Sequence, residues 1–412
     1  MLKSNAKKKN KRETIYMDYA SSASPNPSSI HREGIIAKKN LESARKITAG
    51  ILNARTEEII FTNGGTESNN IAIQGAVWAW HENKKQISGK ELPHIITTNI
   101  EHPSVLETVK MLAKRGLAQF SIVAVEADGI VDPKKIKKEF KKNTVLVSVI
   151  YANNEIGTIQ PISEIAKEIR HFRKFHSRNF REFNQEVLPF FHTDAVQAVN
   201  YLNLNVEKLG VDLLSLSGSK LVDSGRVGVL FKRKSMKLAG ILAGGDQEFG
   251  LRPGTENLPA ILKFTEALVS VSEKREKESK RLTELRDYLL EGLVKISKNV
   301  LSNNMVINGS MRERLPNNLN ITIPGIPSDL LVIELSAKGI MVSEKSACKS
   351  NDKKASHVIG ALRSAQKDKL GKKKSQESLR FSLGYDTTKA DIDYTLDEIL
   401  IILKKLKKWY LG

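Results

Sequence analysis

The feature that most constrains the fold of this chain is a recurring pattern of short apolar segments, each of which runs into a polar turn. The segments are Ile59–Thr62, His94–Thr98 and residues 145–151 and 211–216, with helical periodicity between them. Alternating strands and helices are typical of α/β proteins with a largely parallel sheet. Ligands bind beyond the carboxyl ends of such strands, so the polar turns are predicted to meet at one site. A further segment, residues 227–231, is predicted to be a strand at the sheet edge.

The second half of the chain predicts long helices and a second domain. A chain of 412 residues exceeds the usual size of one hydrophobic core. Apolar residues three and four apart predict a long helix over residues 258–298, which would connect two domains. A C-terminal amphipathic helix is predicted to have Thr388 as its N-cap. We therefore expect a disordered basic tail at 1–13, a segment joining the small domain at 14–27, a large α/β domain at 28–272 and a small α+β domain at 273–412.

The composition is that of a soluble globular protein, with 40% hydrophobic and 27% charged residues. A single cysteine, Cys348, excludes an internal disulfide framework and is compatible with a reducing cytoplasm. No apolar run approaches the roughly 20 residues of a membrane helix, and no secretory signal is visible. We expect a cytoplasmic protein without a membrane segment.

The formal net charge of +20 allows two interpretations. One is attraction to an acidic partner such as an RNA. The other is a large number of solvated surface lysines. The lysine runs are dispersed, most contain no interleaved aromatic residues, and no nucleic-acid-binding motif is present. The second interpretation is therefore favoured, and direct nucleic-acid binding is not expected.

Asp194 and Lys220 are the strongest pair of candidate functional residues. Asp194 closes an apolar segment, and Lys220 follows about 26 residues later in the turn Ser217-Gly218-Ser219-Lys220. A pyridoxal phosphate (PLP) enzyme needs an amine for its Schiff base and a carboxylate that keeps the pyridine nitrogen protonated. Gln197 is placed to reach the ring oxygen of that cofactor, and Ser217 and Ser219 to reach its phosphate.

Several other turns carry weaker signals, since each has an equally ordinary structural explanation. Residues 64–68 form a Gly-containing turn into a helix, which suits an anion but also an ordinary helix cap. His102 and Asn154 follow predicted strands, where they suit either a ligand or a polar turn. Thr255 lies in a tight Arg-Pro-Gly-Thr turn. Arg380 lies on an alternating strand and offers the planar fork that binds a carboxylate.

Cys348 lies in a polar segment flanked by lysines, Lys345-Ser346-Ala347-Cys348-Lys349. Nearby cations favour the thiolate, which is the reactive form. A lone cysteine is often a small buried apolar residue instead, but these neighbours fit that role poorly. The segment therefore predicts a nucleophile.

Together, these elements resemble the cysteine desulfurases of the class V aminotransferase superfamily, in the subgroup with a long active loop and an S-A-C tripeptide. The resemblance extends from Met17 to Gly384. It implies PLP-dependent transferase fold type I, with a mostly parallel seven-stranded sheet between helices. In the family's pattern Gly65 and Thr66 bind the phosphate, and Thr255 reaches the phosphate of the partner subunit. Asp194 and Gln197 bind the ring nitrogen and oxygen, while Lys220 carries the cofactor and is a catalytic residue that moves the Cα proton. His102 covers the ring and is catalytic by assisting at the substrate sulfur. Asn154 contacts both cofactor and substrate, Arg380 binds the substrate carboxylate, and Cys348 takes the sulfur.

The resemblance also implies the reaction and its partners. The family converts L-cysteine to L-alanine and leaves a persulfide, here on Cys348. That sulfur passes to an acceptor protein for iron–sulfur cluster assembly or tRNA thiolation. The family enzymes are homodimers with PLP as cofactor and no metal.

Three features depart from the family pattern. Ser219 replaces a histidine that donates to the phosphate, which is expected to weaken PLP binding. Lys345 replaces a glycine before the S-A-C tripeptide. The region between Ala20 and Pro27 is shorter than in typical members, so that an N-terminal helix is expected to be missing.

Two alternatives remain open from the sequence. The first is another fold type I PLP activity, such as selenocysteine lyase, a β-lyase or an aminotransferase; Cys348 argues against the last. The second is an inactive basic scaffold or RNA-binding protein on the same fold. It predicts no bound PLP and salt-sensitive RNA binding, and the presence of Lys220, Asp194 and Cys348 argues against it.

Overall fold

Strands and helices alternate along the chain in the computed structural model, which describes residues 15–84, 91–176, 188–302, 305–344, 356–366 and 378–410. Over these residues the helices are α1 Arg32–Leu52, α2 Gly65–Lys84, α3 Pro103–Lys114, α4 Pro133–Lys138, α5 Ile162–His176, α6 Val206–Leu209, α7 Leu258–Val300, α8 Ser328–Ser336, α9 His357–Ala365 and α10 Lys389–Tyr410. The strands are β1 Ile59–Thr62, β2 His94–Thr98, β3 Gln119–Val123, β4 Thr144–Ile150, β5 Phe190–Asp194, β6 Leu213–Ser217, β7 Gly228–Lys232, β8 Val306–Ile307, β9 Asn318–Thr322 and β10 Ser378–Ser382.

A seven-stranded sheet forms the larger part of the structure, with strand order β1-β7-β6-β5-β4-β2-β3. β7 runs antiparallel to both of its neighbours, and the other pairs are parallel. The predicted α/β class with a mostly parallel sheet is confirmed. The prediction that residues 227–231 form an edge strand is wrong, because β7 lies between β1 and β6. Its residues Val229, Leu230 and Phe231 are fully buried in succession, which is the pattern of an interior strand covered on both faces.

Helices cover both faces of this sheet, so alternate residues of one strand enter different apolar clusters. Ile59 and Phe61 of β1 belong to one cluster, whereas Ile60 belongs to the other. Leu214 and Leu213 of β6 divide in the same way. This two-sided burial explains why the sequence shows short continuous apolar runs instead of an alternation of apolar and polar residues.

A three-stranded antiparallel sheet, β10-β9-β8, forms a smaller unit with its own apolar cluster. α7 joins the two units: Phe264 and Leu268 near its start pack in the large core, and Leu289 and Leu293 pack in the small one. The predicted long helix is therefore confirmed. Because α7 continues without a break past residue 272, the domain boundaries stay a prediction.

Both ends of the described chain bear on predictions from the sequence. Residues 15–31 contain no helix, and Asp18 there accepts hydrogen bonds from Ser21 and Ser29. At α10, Thr388 Oγ1 accepts from the Asp391 N–H (3.2 Å), and Asp391 Oδ2 accepts from the Thr388 N–H (2.8 Å). The predicted N-cap is confirmed.

The basic tail 1–13 lies outside the described residues. No helix of the described ranges combines the length and apolar character needed to span a membrane.

Candidate active site

A cavity of about 450 Å³ lies where strands β4, β5 and β6 end at their carboxyl termini. β9 and β10 of the small sheet close its other side through Asn318 and Arg380. The predicted site residues that line it are Gly65, Thr66, His102, Asn154, Asp194, Gln197, Ser217, Ser219, Lys220 and Arg380. Residues far apart in sequence thus meet at the edge of the sheet where ligands of α/β proteins bind.

One predicted residue, Thr255, is not brought into this cavity, and a second, Cys348, is not among the described residues. Thr255 lies exposed on the loop before α7, outside the cavity of its own chain. That loop is held by an ion pair between Arg252 Nε and Glu67 Oε1 at 3.5 Å. Cys348 lies outside the described residues, so its predicted role is not tested by the geometry.

Asp194 is the last residue of β5, and its side chain is oriented by fixed donors. The Val196 N–H donates to Oδ1 at 3.0 Å, and Asn69 Nδ2 donates to Oδ2 at 2.8 Å. Only 3% of the residue is exposed to solvent. A carboxylate that is buried, oriented and next to an open cavity is suited to hold an N–H donor of a ligand.

The start of α2 forms the part of the cavity that suits an anion. The first N–H groups of a helix have no partner within it and lie at the positive end of its dipole. A Cβ on Gly65 would lie 2.6 Å from Val196 Cγ2, so that a side chain could not fit between the helix start and the Asp194 turn. Ser217 Oγ and Ser219 Oγ lie 2.9 Å apart, and Ser217 adjoins the same glycine. Two hydroxyls and the helix start thus face one part of the cavity.

Lys220 is presented by a tight turn, Gly218–Lys220, that follows β6 directly. A Cβ on Gly218 would lie 2.6 Å from Ser224 Oγ and 3.0 Å from the carbonyl oxygen of Gly225. The Lys220 carbonyl accepts from Asn200 Nδ2 at 2.7 Å. The backbone of Lys220 is therefore fixed while its exposed side chain contributes to the cavity wall.

Arg380 of β10 supplies a cation on the opposite side of the cavity. Its Nη1 donates to the Asn154 carbonyl at 3.0 Å. Its Nε is buried and has no hydrogen-bond partner among the described residues. Burial lowers the pKa of Arg380, and the Glu155 carboxylate partly offsets that effect. A buried guanidinium with an unused donor is suited to bind the carboxylate of an amino acid.

Glu101 is a titratable residue that the sequence did not single out. It is fully buried, and its Oε1 accepts from Thr98 Oγ1 (2.6 Å) and from the Ile150 N–H (3.0 Å). Burial raises its pKa to about 8, and the charge of Asp194 acts in the same direction. Glu101 is thus held as a neutral acid behind the Asp194 carboxylate near pH 7.

Replacing Glu101 by glutamine should make stability less dependent on pH. The pKa of this carboxyl lies near 8 in the folded state and near 4.5 in the unfolded state. Its contribution to the free energy of unfolding is therefore at its largest below pH 4.5. This contribution is lost as the pH rises to about 8, with a total of roughly 3–5 kcal/mol. Glutamine resembles the neutral acid and does not ionise. The free energy of unfolding, measured with urea at pH 5 to 8.5, should therefore fall more steeply with rising pH in the wild type than in Glu101→Gln.

Glu107→Gln is the matched control, since it removes a carboxyl that is exposed to solvent on α3. Parallel pH profiles for Glu101→Gln and the wild type would contradict a neutral Glu101.

Asn69 and Ser104 also line the cavity and were not predicted as site residues. Asn69 lies four residues after Gly65 on α2, and therefore one helical turn further along the same face. Ser104 is the second residue of α3, two residues after His102. The spacing of one helical turn from the predicted anion site could therefore have identified Asn69 from the sequence. Ser104 could not be identified in this way, because a serine in the first turn of a helix is ordinary.

Comparison with known proteins agrees with this geometry. The family model of class-V aminotransferases matches residues 10–395. Cysteine desulfurase IscS of Dictyoglomus turgidum is 39% identical over 382 residues, which cover 93% of this chain and 88% of the relative. IscS of Methanosarcina thermophila is also 39% identical, over 93% of this chain and 86% of its own length.

A solved structure of a NifS-like protein superimposes with a TM-score of 0.76 at 32% identity and covers 92% of each chain. The seven-stranded sheet, the site at its carboxyl edge and these matches over most of the sequence agree with one another. The chain belongs to the class-V aminotransferase family, among the PLP-dependent cysteine desulfurases of the IscS and NifS type.

Proposed function

We propose that this chain transfers sulfur from L-cysteine to Cys348, with PLP as cofactor and L-alanine as the second product. The observation that carries the proposal is the arrangement of one cavity. It places the Asp194 carboxylate, the Lys220 amine and the Arg380 guanidinium around a helix start that suits an anion. These are the groups that a PLP enzyme acting on an amino acid requires.

The residues present fit PLP. The helix start at Gly65, with Thr66 and the hydroxyls of Ser217 and Ser219, would hold the phosphate. Asp194 would accept a hydrogen bond from the pyridine nitrogen, and Gln197 would reach the ring oxygen. Lys220 would hold the cofactor covalently, and His102 would cover its ring. When bound, PLP supplies an electron sink for the substrate carbon.

The chain's own side chains perform the steps around that cofactor. Arg380, with Asn154 next to it, binds the substrate carboxylate and fixes the orientation of its Cα. Lys220 removes the proton from Cα and later returns a proton to the product. Asp194 keeps the proton on the pyridine nitrogen.

Sulfur transfer requires a nucleophile, and Cys348 is the residue proposed for it. Its thiolate attacks the sulfur of the bound cysteine, so that an S–S bond forms as the C–S bond breaks. The electron pair of the broken bond remains on the carbon fragment, which takes up protons and leaves as L-alanine. The persulfide on Cys348 then carries the sulfur to an acceptor.

The partners follow from the same proposal. We infer a homodimer, in which Thr255 contacts the phosphate held by the partner subunit; its position outside its own cavity is compatible with this role. The sulfur acceptor would be a protein of iron–sulfur cluster assembly or tRNA thiolation, in a reducing cytoplasm. No direct binding of nucleic acid is proposed.

The test of this function is product formation by the purified full-length protein. With PLP, L-cysteine and a thiol reductant, we expect L-alanine and sulfide in equal amounts. Alanine from L-selenocysteine but not from L-cysteine would instead indicate a selenocysteine lyase. Bound PLP without alanine from either substrate would refute the proposal, and salt-sensitive RNA binding without PLP would favour the inactive basic scaffold.

Replacing Arg380 by alanine should lower kcat/KM for L-cysteine by about 30- to 1,000-fold, since a buried charged hydrogen bond contributes roughly 2–4 kcal/mol. The carboxylate is bound both before and during the reaction. Most of the loss should therefore appear in KM, while kcat changes little. Arg380→Lys keeps the charge but not the fork and should fall in between.

Arg312→Ala provides the control, since this arginine is 94% exposed outside the cavity. Initial rates over a range of cysteine concentrations separate the two parameters. An unchanged KM in Arg380→Ala would contradict the carboxylate assignment.

A further inference from the structure

We propose that Asn69 and Ser104 are positioning residues that connect the Asp194 carboxylate to the His102 ring and fix the proton of neutral His102 on Nε2. The geometric part of this inference is independent of the reaction. Its effect on turnover rests on the proposed function.

The first part of the connection is the Asn69 amide, which bridges two elements of the site. Nδ2 donates to Asp194 Oδ2 and to Ser104 Oγ, both at 2.8 Å. A carboxylate can only accept hydrogen bonds, so the amide nitrogen must face Asp194. A rotated amide would place Oδ1 against the carboxylate oxygen. Asn69 is 1% exposed, and water is therefore a poor substitute for either bond.

The second part is Ser104, which contacts the His102 ring in two ways. Ser104 Oγ lies 2.7 Å from His102 Nδ1, and the Ser104 backbone N–H donates to the same nitrogen at 3.1 Å. A backbone N–H never accepts a hydrogen bond, so Nδ1 must be the unprotonated, accepting nitrogen. The Ser104 hydroxyl accepts from Asn69 and therefore has its own hydrogen available for Nδ1.

The direction of every hydrogen bond is thus determined from the carboxylate outward. Asp194 fixes the Asn69 amide, Asn69 fixes the Ser104 hydroxyl, and Ser104 fixes the histidine tautomer. Ser104 itself is held on α3, where its carbonyl accepts from Thr108 Oγ1 at 2.8 Å. The neutral ring carries its proton on Nε2.

The chemical consequence concerns the direction of proton transfer. His102 lines the cavity, and with the proton on Nε2 the neutral ring is a donor at that nitrogen. Within the proposed reaction, the neutral ring would therefore begin the cycle as a hydrogen-bond donor toward the substrate sulfur and could not accept a proton at Nε2. The opposite tautomer would make it a base at the same position.

The tautomer can be measured directly by NMR on the full-length protein labelled with ¹⁵N-histidine, with and without added PLP. His102→Gln identifies the His102 signals by their absence. Above the pH at which the ring becomes neutral, we expect an unprotonated Nδ1 and a protonated Nε2. A protonated Nδ1 in the wild type would overturn the proposal. Ser104→Ala removes the hydroxyl donor but keeps the backbone donor to Nδ1, so it should shift the Nδ1 resonance while Nε2 stays protonated, and Ser104→Thr should restore the wild-type resonance.

Asn70→Ala is the matched control for this spectrum. Asn70 is the adjacent amide on α2, but it bonds to the Thr66 carbonyl, Gln74 and Thr108 instead of Asp194 or Ser104. It should leave both ring nitrogen resonances of His102 unchanged. If Asn70→Ala shifted the His102 resonances as much as Ser104→Ala does, the effect would be due to general disturbance of α2.

A double-mutant cycle tests whether Ser104 acts through His102. Ser104→Ala should lower kcat about tenfold, with KM changed by less than about twofold. In the His102→Gln background, the same substitution should have almost no further effect. An equal loss in both backgrounds would show a merely structural role and overturn the positioning assignment. The NMR arm needs no substrate, so a wild type inactive toward cysteine would refute the proposed function without deciding the tautomer.

Discussion

Lys220→Ala is expected to abolish alanine formation, with a loss of at least about 10³-fold in kcat. The substitution removes the amine proposed to hold PLP and the base proposed to take the Cα proton. Lys220 is the one lysine among the described residues that line the cavity, so no other amine there can take over. Alanine should be quantified by chromatography, and retained PLP by the visible absorbance of the dialysed protein.

Lys263→Ala is the matched control, because Lys263 lies in the neighbouring groove that shares Asn200 and Lys220 with the cavity. It should keep both cofactor and activity. If Lys220→Ala retained covalently bound PLP and formed alanine, another lysine would carry the cofactor and the assignment would be wrong. Addition of a small primary amine should restore part of the activity if the missing function is proton transfer.

The sheet and the principal site residues were predictable because their signals are local in sequence. Two-sided burial makes the interior strands short apolar runs, and the carboxyl end of a parallel run lies at the ligand-binding edge. Asp194 ends one strand, and Lys220 lies three residues after the end of another. Arg380 depended on the family resemblance, since an arginine on an alternating strand also fits an exposed surface.

The missed residues depend on contacts between distant segments. Asn69 matters because Asp194 lies 125 positions later in the chain and accepts its hydrogen bond. Glu101 has its raised pKa because it is fully buried and lies near the charge of Asp194, and sequence alone reveals neither its burial nor that neighbour. The misplaced β7 has the same origin: its partners β1 and β6 come from different parts of the chain, and the apolar run itself is compatible with several positions in the sheet.

The described residues on either side of the Cys348 segment, Glu344 and Ser356 with His357, are bonded to parts of the site. On one side, the Glu344 carbonyl accepts from Ser378 Oγ at 3.1 Å, two residues before Arg380. On the other, Ser356 Oγ donates to Glu155 Oε2 at 2.5 Å, and His357 Nε2 lies 3.0 Å from the Glu101 carbonyl oxygen. Both attachment points thus adjoin residues that line the cavity, which supports the proposal that Cys348 serves this site.

Cys348→Ala is therefore expected to retain PLP but to lose persulfide formation and nearly all alanine formation. Because Cys348 is the sole cysteine, the variant contains no thiol, and every persulfide found on the wild type must be at this position. After incubation with ³⁵S-cysteine, the wild type should carry label that a reductant releases, whereas the variant should carry none. Ser350→Ala, two residues away, should label normally. Alanine formation at the wild-type rate by Cys348→Ala would mean that sulfur leaves the substrate without a protein nucleophile, and the persulfide step would have to be abandoned.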